Sequence, residues 1–357
     1  MMWRHIILAA VTLGVLLLPF LPALREWLHP SDVTPLSMQR NELNHLIFFA
    51  DSFRARVKKL HENLDANLHD LHAADAVAVS SSAAELSVVE QKSDAQTACG
   101  AGVIRILERA SHIVKFMHDA QLPENCSVNA DIYAQCDLTV GAGAQLRACL
   151  AEGRIILKPR ATVHRWIHAT QIQVGGEVCI TGRITAIEQI TFAAPTVFER
   201  AGAPSLIFGE SRNAVVPAPL PSTVAARQVI RGDGLLDKNA ALSCDYVIRG
   251  DCRMTEKVSL DGSVKSYGNL HIDSGCCVSG SLVSKKNIVI DGDCAILGPL
   301  ISFEDIVIGP NCRIGRPDAP TTLICNQLFI APGCIVHGVI TAQKNASFLT
   351  VEPTHAI

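Results

Sequence analysis

Pairs of apolar residues, two positions apart, return every six residues along much of this chain. Because alternate residues of a strand share one face, both members of a pair point to the same side. The clearest run consists of Tyr246/Ile248, Cys252/Met254, Val258/Leu260, Val264/Ser266, Leu270/Ile272, Cys276/Val278, Leu282/Ser284, Ile288/Ile290, Cys294/Ile296, Leu300/Ser302, Ile306/Ile308 and Cys312/Ile314. An internal repeat of this kind predicts a solenoid, in which short strands and corners wind around one apolar interior.

Three pairs make a unit of 18 residues, so the same interior positions recur from turn to turn. At this interval Leu270 is followed by Ile288 and Ile306, and Cys276 by Cys294. Three short strands per turn, joined by corners, predict a triangular parallel β-helix with 17–18 residues per coil. The expected fold class is therefore mainly β.

A second, earlier run shows the same pairs less regularly. It consists of Cys126/Val128, Ile132/Ala134, Leu138/Val140, Ala144/Leu146, Ile155/Leu157, Ala161/Val163, Ile172/Val174, Val178/Ile180, Ile184/Ala186 and Ile190/Phe192. The pairs near Cys149 and Trp166 are indistinct, and equivalent positions recur at 17 or 18 residues. The sequence therefore predicts two β-helix blocks rather than one.

The chain between the two runs has a different composition. The pattern stops near Thr196, and the stretch VVPAPLPSTVAA contains three prolines, which cannot donate to a strand ladder. The predicted segments are a membrane anchor at 1–30, a helical and flexible juxtamembrane region at 31–121, a first β-helix block at 122–198, a proline-rich insertion at 199–244, a second β-helix block at 245–345 and a tail at 346–357.

Composition restricts the classes of function. The formal net charge is -3, with 31 basic and 34 acidic residues, so no basic excess predicts a nucleic acid as partner. With 18% charged and 48% hydrophobic residues, the composition argues against disorder of the whole chain. A length of 357 residues accommodates one elongated solenoid or about two ordinary domains.

The segment 6–24 contains 19 residues without a charge and is long enough to cross a bilayer. Its end, Pro19 to Leu24, offers no convincing small-x-small cleavage site, which favours an uncleaved anchor over a signal peptide. Basic residues flank the span on both sides and do not settle its orientation. The 13 cysteines, an odd number, fit a reducing compartment, so we expect a single-pass protein with its solenoid on the cytoplasmic side.

The juxtamembrane region shows a helical period at 38–72. Its apolar positions, separated by steps of three and four, are Leu43, Leu46, Ala50, Phe53, Val57, Leu60, Leu64 and Leu71. Such a helix either pairs protomers as a coiled coil or lies on its own domain, and about four heptads do not separate the two. Residues 73–98 are small and polar, which predicts a flexible connection, and Val103 to Met117 predicts a second short helix.

The ends of a β-helix expose unpaired backbone groups and an apolar cross-section. Residues 342–357 provide only a thin polar cap at the C-terminal end. This predicts either end-to-end stacking into a filament or a tail or helix that folds over the end.

One repeat, Ile308 to Gly315 (IGPNCRIG), looks like the hexapeptide repeat of left-handed β-helix acyltransferases. That resemblance implies a histidine base and coenzyme A. The candidate bases are His271, between two inward residues, and His337, near a corner. Neither has an evident carboxylate in the repeat to orient it, so we expect both to be surface histidines.

Two further motifs are candidates for chemistry. His164 and His168 flank Trp166 and could form half of a metal site, as in hexapeptide-fold carbonic anhydrases, but no third histidine occupies a matching coil position. Alternation sends Cys276 inward and Cys277 outward, which makes Cys277 the most obvious, and inert, thiol candidate. No catalytic, cofactor-binding or metal-binding residue is therefore predicted.

Three stretches resemble the bactofilin family of polymer-forming bacterial cytoskeletal proteins. They are Leu260–Ser266 (LDGSVKS), Val278–Ser284 (VSGSLVS) and Ile296–Ser302 (ILGPLIS), each with an apolar-x-Gly-x-apolar-x-Ser turn. The resemblance covers 246–342 and, more weakly, 126–192. It implies a β-helix scaffold at the bacterial inner membrane that self-assembles without nucleotide and recruits cell-envelope or polysaccharide machinery. The alternative function is a hexapeptide-repeat acyltransferase.

Overall fold

A computed structural model shows a mainly β protein, with a β-solenoid of about 12 turns and a long helix, α1, at Asn41–Leu68. No helix among the residues that the structure describes is long and apolar enough to cross a membrane. The predicted span 6–24, apart from Ile6, and the tail beyond 349 lie outside those residues. The described residues are Trp3, Ile6, 41–68, 86–89, 112–210, 226–237 and 243–349.

The strands form two stacks. The strands of the first stack are β1 Leu86–Val89, β2 Ile113–Phe116, β3 Ala120–Gln121, β4 Ser127–Ala134, β5 Leu138–Val140, β6 Gln145–Ala151, β7 Arg154–Leu157, β8 Thr162–Val174, β9 Val178–Phe192 and β10 Thr196–Phe208. Neighbouring turns pair in parallel, as in β2 with β4 and β4 with β6.

The second stack is more regular and has shorter strands. They are β11 Ala226–Ile230, β12 Gly234–Leu236, β13 Cys244–Ile248, β14 Cys252–Met254, β15 Ser259–Leu260, β16 Val264–Ser266, β17 Leu270–Ile272, β18 Cys277–Val278, β19 Leu282–Ser284, β20 Ile288–Ile290, β21 Ala295–Ile296, β22 Leu300–Ser302, β23 Ile306–Ile308, β24 Arg313–Ile314, β25 Thr321–Ile330 and β26 Cys334–Phe348. Each turn from β13 to β24 contributes three strands. Each strand from β13 to β22 pairs with the third strand after it, whereas β23 pairs with β25 and β24 with β26.

The pairing register confirms the repeat. Leu270 lies beside Ile288, and Ile288 lies beside Ile306, in parallel strands 18 residues apart. All three side chains are fully buried. Burial of one such side chain contributes about 1.5–3 kcal/mol, so the stacked interior is what holds successive turns together.

One corner of each turn requires a left-handed backbone. In the second stack the residues with positive φ recur every 18 positions, at Lys257, Gly275, Asp293 and Asn311, with φ between 58° and 74°. Glycine and, less readily, asparagine or aspartate tolerate this conformation. The corner chemistry therefore follows the same repeat as the interior.

Helix α1 lies on the outer face of the first stack. Ala50, Phe53 and Val57 form its buried stripe and pack with Leu150 and Ile113 of the solenoid. Of the two interpretations of this helix, the contacts favour the one in which it lies on its own domain. The described helix covers 41–68 of the predicted 38–72, and the rest of that range lies outside the described residues.

The second predicted helix, Val103 to Met117, is wrong at its C-terminal end. Residues 113–116 form β2, which pairs in parallel with β4, and the remainder up to 111 lies outside the described residues. Val114 and Phe116 are both buried and belong to the six-residue phase, so burial in the solenoid overrides the helical spacing. Within the predicted flexible connection 73–98, residues 86–89 form β1.

The predicted insertion at 199–244 contains parts of both stacks. Residues 199–208 complete β10, and 226–236 include β11 and β12. The prolines lie within 211–225, which is outside the described residues. The predicted boundary at residue 198 therefore falls inside a strand, because β10 continues the ladder with β9.

Candidate functional site at the stack ends

The last turns of the two stacks pair with each other. Strand β10 pairs in parallel with β9 on one side and antiparallel with β26 on the other. The register places Ala201 beside Ile340 and Phe208 beside Cys334. We call this contact the stack junction. The C-terminal end of the second stack is therefore covered by the first stack. The tail that one of the two expectations placed over this end lies outside the described residues beyond 349.

Four phenylalanines fill the stack junction. The rings of Phe192 and Phe208 are stacked, with centroids 4.7 Å apart and planes 3° apart, and Phe198 lies 5.0 Å from Phe192. Phe348 of the second stack meets Phe208 edge to face at 5.7 Å. Aromatic pairs of this geometry add about 0.5–1.5 kcal/mol beyond their buried area. The stack junction is thus a continuous apolar core across two antiparallel strands.

His337 belongs to the stack junction and is not a surface residue. Its side chain is buried, and its Nδ1 lies 2.8 Å from the carbonyl oxygen of Pro204 in β10. Burial lowers the pKa of His337, so Nδ1 carries the proton of a neutral ring and donates it to this carbonyl. The expectation of a surface histidine was wrong, because the antiparallel pairing of distant strands covers this corner.

The opposite end of the second stack is open. Among the described residues, β11 pairs only with β13, and β12 only with β14. Four of the five residues of β11 are exposed. Val229 is 51% exposed and Leu235 of β12 is 62% exposed. We call β11 and β12 the open end.

The direction of the backbone groups at the open end follows from the ladder. In β13, the Tyr246 N–H donates to the carbonyl oxygen of Ser263 in the next turn at 2.8 Å. Gln228 is the register partner of Tyr246, so its N–H points in the same direction, towards β13. Alternate residues of a strand present their backbone groups to opposite edges. The N–H and C=O of Val229 therefore point away from the second stack, at an edge to which a further strand can be added.

His271 is the centre of a polar group on the outer face of the second stack. Its Nε2 lies 3.4 Å from Oδ1 of Asp273 and 3.3 Å from Oδ2 of Asp291. The expectation that no carboxylate orients His271 was therefore wrong. One carboxylate, Asp273, lies two residues further along the chain, and the other, Asp291, comes from the next turn. The three ligand atoms lie within 4.8 Å of one another, which suits a divalent cation. Arg253 Nε already lies 3.1 Å from both oxygens of Asp273 and balances part of this charge.

The histidines beside Trp166 are separated by the structure. His164 is exposed, whereas His168 is fully buried beneath α1. Nδ1 of His168 donates to Oγ1 of Thr185 at 2.8 Å, since that hydroxyl faces the carbonyl oxygen of Ile167. The structure does not bring His164 and His168 to one metal position.

Four cysteines form a column inside the second stack. They are Cys276, Cys294, Cys312 and Cys334, at equivalent interior positions. Each Sγ–H donates to a backbone carbonyl, as Cys312 does to Asp291 at 3.1 Å and Cys334 to Gly309 at 3.1 Å. Hydrogen bonding with Cys294 and burial raise the pKa of Cys276. Burial also raises the pKa of the half-buried Cys277, so the thiols of Cys276 and Cys277 stay protonated at neutral pH.

No protein-family model, curated protein or solved structure matches this chain. The bactofilin resemblance of the repeat residues stays a prediction. The function is therefore argued from the geometry of the two stacks and their ends.

Proposed function

We propose that this protein is a membrane-tethered β-solenoid scaffold that self-associates through its open end, without nucleotide, and organises cell-envelope or polysaccharide machinery. The single observation that carries the proposal is the outer edge of β11, on which no described strand lies, with its exposed Val229. The repeat residues that resemble bactofilins support the same function, and segment 6–24 supplies the tether.

The stack junction supplies a geometric precedent for the association. There, two solenoid ends join through antiparallel backbone pairing, from Thr196 beside Phe348 to Phe208 beside Cys334. An open end can join a copy of itself in the same way, because antiparallel pairing of two identical strands is compatible with two-fold symmetry. Backbone hydrogen bonds and the apolar side chains of Val229 and Leu235 would form this contact.

A filament requires a second contact on each molecule. Strand β1, at the start of the first stack, pairs only with β2 among the described residues. Association through the open end alone gives dimers, whereas association at both starts gives linear polymers. The size of the assembly therefore shows whether β11 alone or both β1 and β11 take part in the contact.

The test is electron microscopy and mass photometry of the full chain in detergent micelles without nucleotide. Val229→Pro removes the N–H that faces outward, while proline is tolerated on an edge strand. Val229→Ala is the matched control, because it shortens the side chain and keeps the N–H. We expect dimers or filaments for the wild type and Val229→Ala, and a shift to smaller species for Val229→Pro. Monomers for the wild type, or unchanged assembly of Val229→Pro, would overturn the proposal.

A further inference from the structure

A pocket of about 320 Å³ lies beside α1 on the outer face of the first stack. Its wall combines two aromatic rings with charged side chains from three successive turns. The residues that carry the argument are Phe49, Trp166, Arg165, Arg183, Arg200 and Glu199. This volume is at the lower end of the range for small-molecule sites, so the ligand must be small.

The solenoid ladder brings the arginines together. Arg183 of β9 lies beside Trp166 of β8 on one side and beside Arg200 of β10 on the other. Arg165 precedes Trp166 and reaches the same pocket. Neighbouring strands are about 4.8 Å apart, so Arg183 and Arg200 lie side by side in a pocket that Arg165 also lines.

The charge of these arginines is balanced only in part among the residues that line the pocket, where Glu199 is the one acidic side chain. None of the three makes an ion pair there. Five other described arginines do make ion pairs, namely Arg54, Arg147, Arg154, Arg253 and Arg316. Burial and the neighbouring charge of Arg200 lower the pKa of Arg183, which is what accumulated positive charge would cause.

The aromatic side of the pocket is fixed by the docked helix. Phe49 of α1 lies 5.2 Å from Trp166 between ring centroids, with the ring planes 58° apart. The guanidinium of Arg183 lies over the Phe49 ring, 5.4 Å from its centroid. Phe49 and Trp166 are both half-buried, so each leaves part of a ring available to a ligand.

We propose that this pocket binds an organic phosphate monoester, with the phosphate on the arginines and an apolar or ring-shaped part against Phe49 and Trp166. The three arginines and Glu199 together carry a net charge of +2. A phosphate monoester carries a charge of about −1.5 to −2 at neutral pH and matches it better than a carboxylate does. A guanidinium group donates two parallel hydrogen bonds to two oxygens of one phosphate. Glu199 accepts a hydrogen bond from a hydroxyl group of the ligand.

The experiment is calorimetric titration of the full chain in phosphate-free detergent with phenyl phosphate, and with inorganic phosphate as the probe without a ring. Arg183→Gln and Arg200→Gln each remove one charge from the pocket. Arg154→Gln is the matched control, since Arg154 lies on the same stack and pairs with Asp137 outside the pocket. We expect a loss of affinity of about tenfold to hundredfold for the two pocket variants and none for the control.

Two further measurements separate the parts of the proposal. Phe49→Leu should weaken phenyl phosphate and leave inorganic phosphate unchanged, because only the former contacts the ring. Competition by short-chain phosphatidic acid assigns the phosphate to a lipid headgroup, and its failure to compete assigns it to a soluble ester. If phenyl phosphate does not bind, or if Arg154→Gln weakens it as much as Arg200→Gln, the proposal is overturned. None of these outcomes depends on self-association, so the proposed function is tested separately.

Discussion

Acid should release helix α1 from the solenoid through His168. This side chain is fully buried beneath the helix, and the ring of Phe49 meets it edge to face at 6.2 Å. Its Nδ1 donates to Thr185, and its Nε2 has no hydrogen-bond partner within the described chain. Burial, followed by the charge of Arg54, lowers the pKa of His168 from 6.5 to about 4.

The difference between these two pKa values of His168 sets the pH dependence of helix docking. Above pH 6.5 the ring is neutral in both states and contributes nothing to pH dependence. Between pH 6.5 and about 4, a His168 exposed by undocking binds a proton that the docked form excludes, so docking weakens as the pH falls. At about 1.4 kcal/mol per pH unit, the loss is about 2 kcal/mol at pH 5 and about 3 kcal/mol in full.

Hydrogen exchange of the α1 amides at pH 7 and pH 5, corrected for the intrinsic rate, measures this loss. We expect the opening equilibrium of Asn41–Leu68 to rise about thirtyfold at pH 5. His168→Gln keeps a side-chain donor for Thr185 and does not titrate, so its opening should change little between the two pH values. An equal rise in His168→Gln would refute the assignment of the pH dependence to His168.

Two substitutions test the packing of the stacks. Phe208→Ala should cost about 3–5 kcal/mol in the free energy of unfolding, measured with denaturant, because the side chain is fully buried among aromatic rings; a cost below 1 kcal/mol would contradict a packed stack junction. Gly298→Ala should cost about 1–3 kcal/mol, because its Cβ would lie 2.3 Å from the carbonyl oxygen of Gly280 in the preceding turn. Gly232→Ala is the control for Gly298→Ala, since its Cβ would meet no described atom within 4 Å, and an equal loss would refute the steric cause.

The six-residue period predicts more of the solenoid than its most regular run. The same phase includes the buried Val114 and Phe116 before the first predicted block, and β10 continues the ladder beyond the predicted end of that block at residue 198. Helical spacing and proline content led to other assignments there. The recurring apolar pairs constrain the fold more strongly than helical spacing or proline content does, because every turn of the stack repeats the same interior position.

No periodic pattern in the sequence predicts the contacts that define the candidate sites. Pairing of β10 with β26 joins residues more than a hundred positions apart, and either end could have been covered differently. The outward residues Arg165, Arg183 and Arg200 carry no interior pattern, so only the ladder shows that they are neighbours. Sequence periodicity predicts what lies inside each turn, whereas the sites depend on which outer faces meet.

The stack junction also constrains the proposed assembly. Each stack proceeds from its first strand towards its last, and the last strands, β10 and β26, pair antiparallel. The two stacks therefore run in opposite directions along the chain of contacts. Their first strands, β1 and β11, each have one neighbouring strand among the described residues. A polymer in which β1 joins β1 and β11 joins β11 has no overall direction, because each of these contacts has two-fold symmetry. Where such a polymer exposes the same start at both ends, we expect the two ends to grow at the same rate.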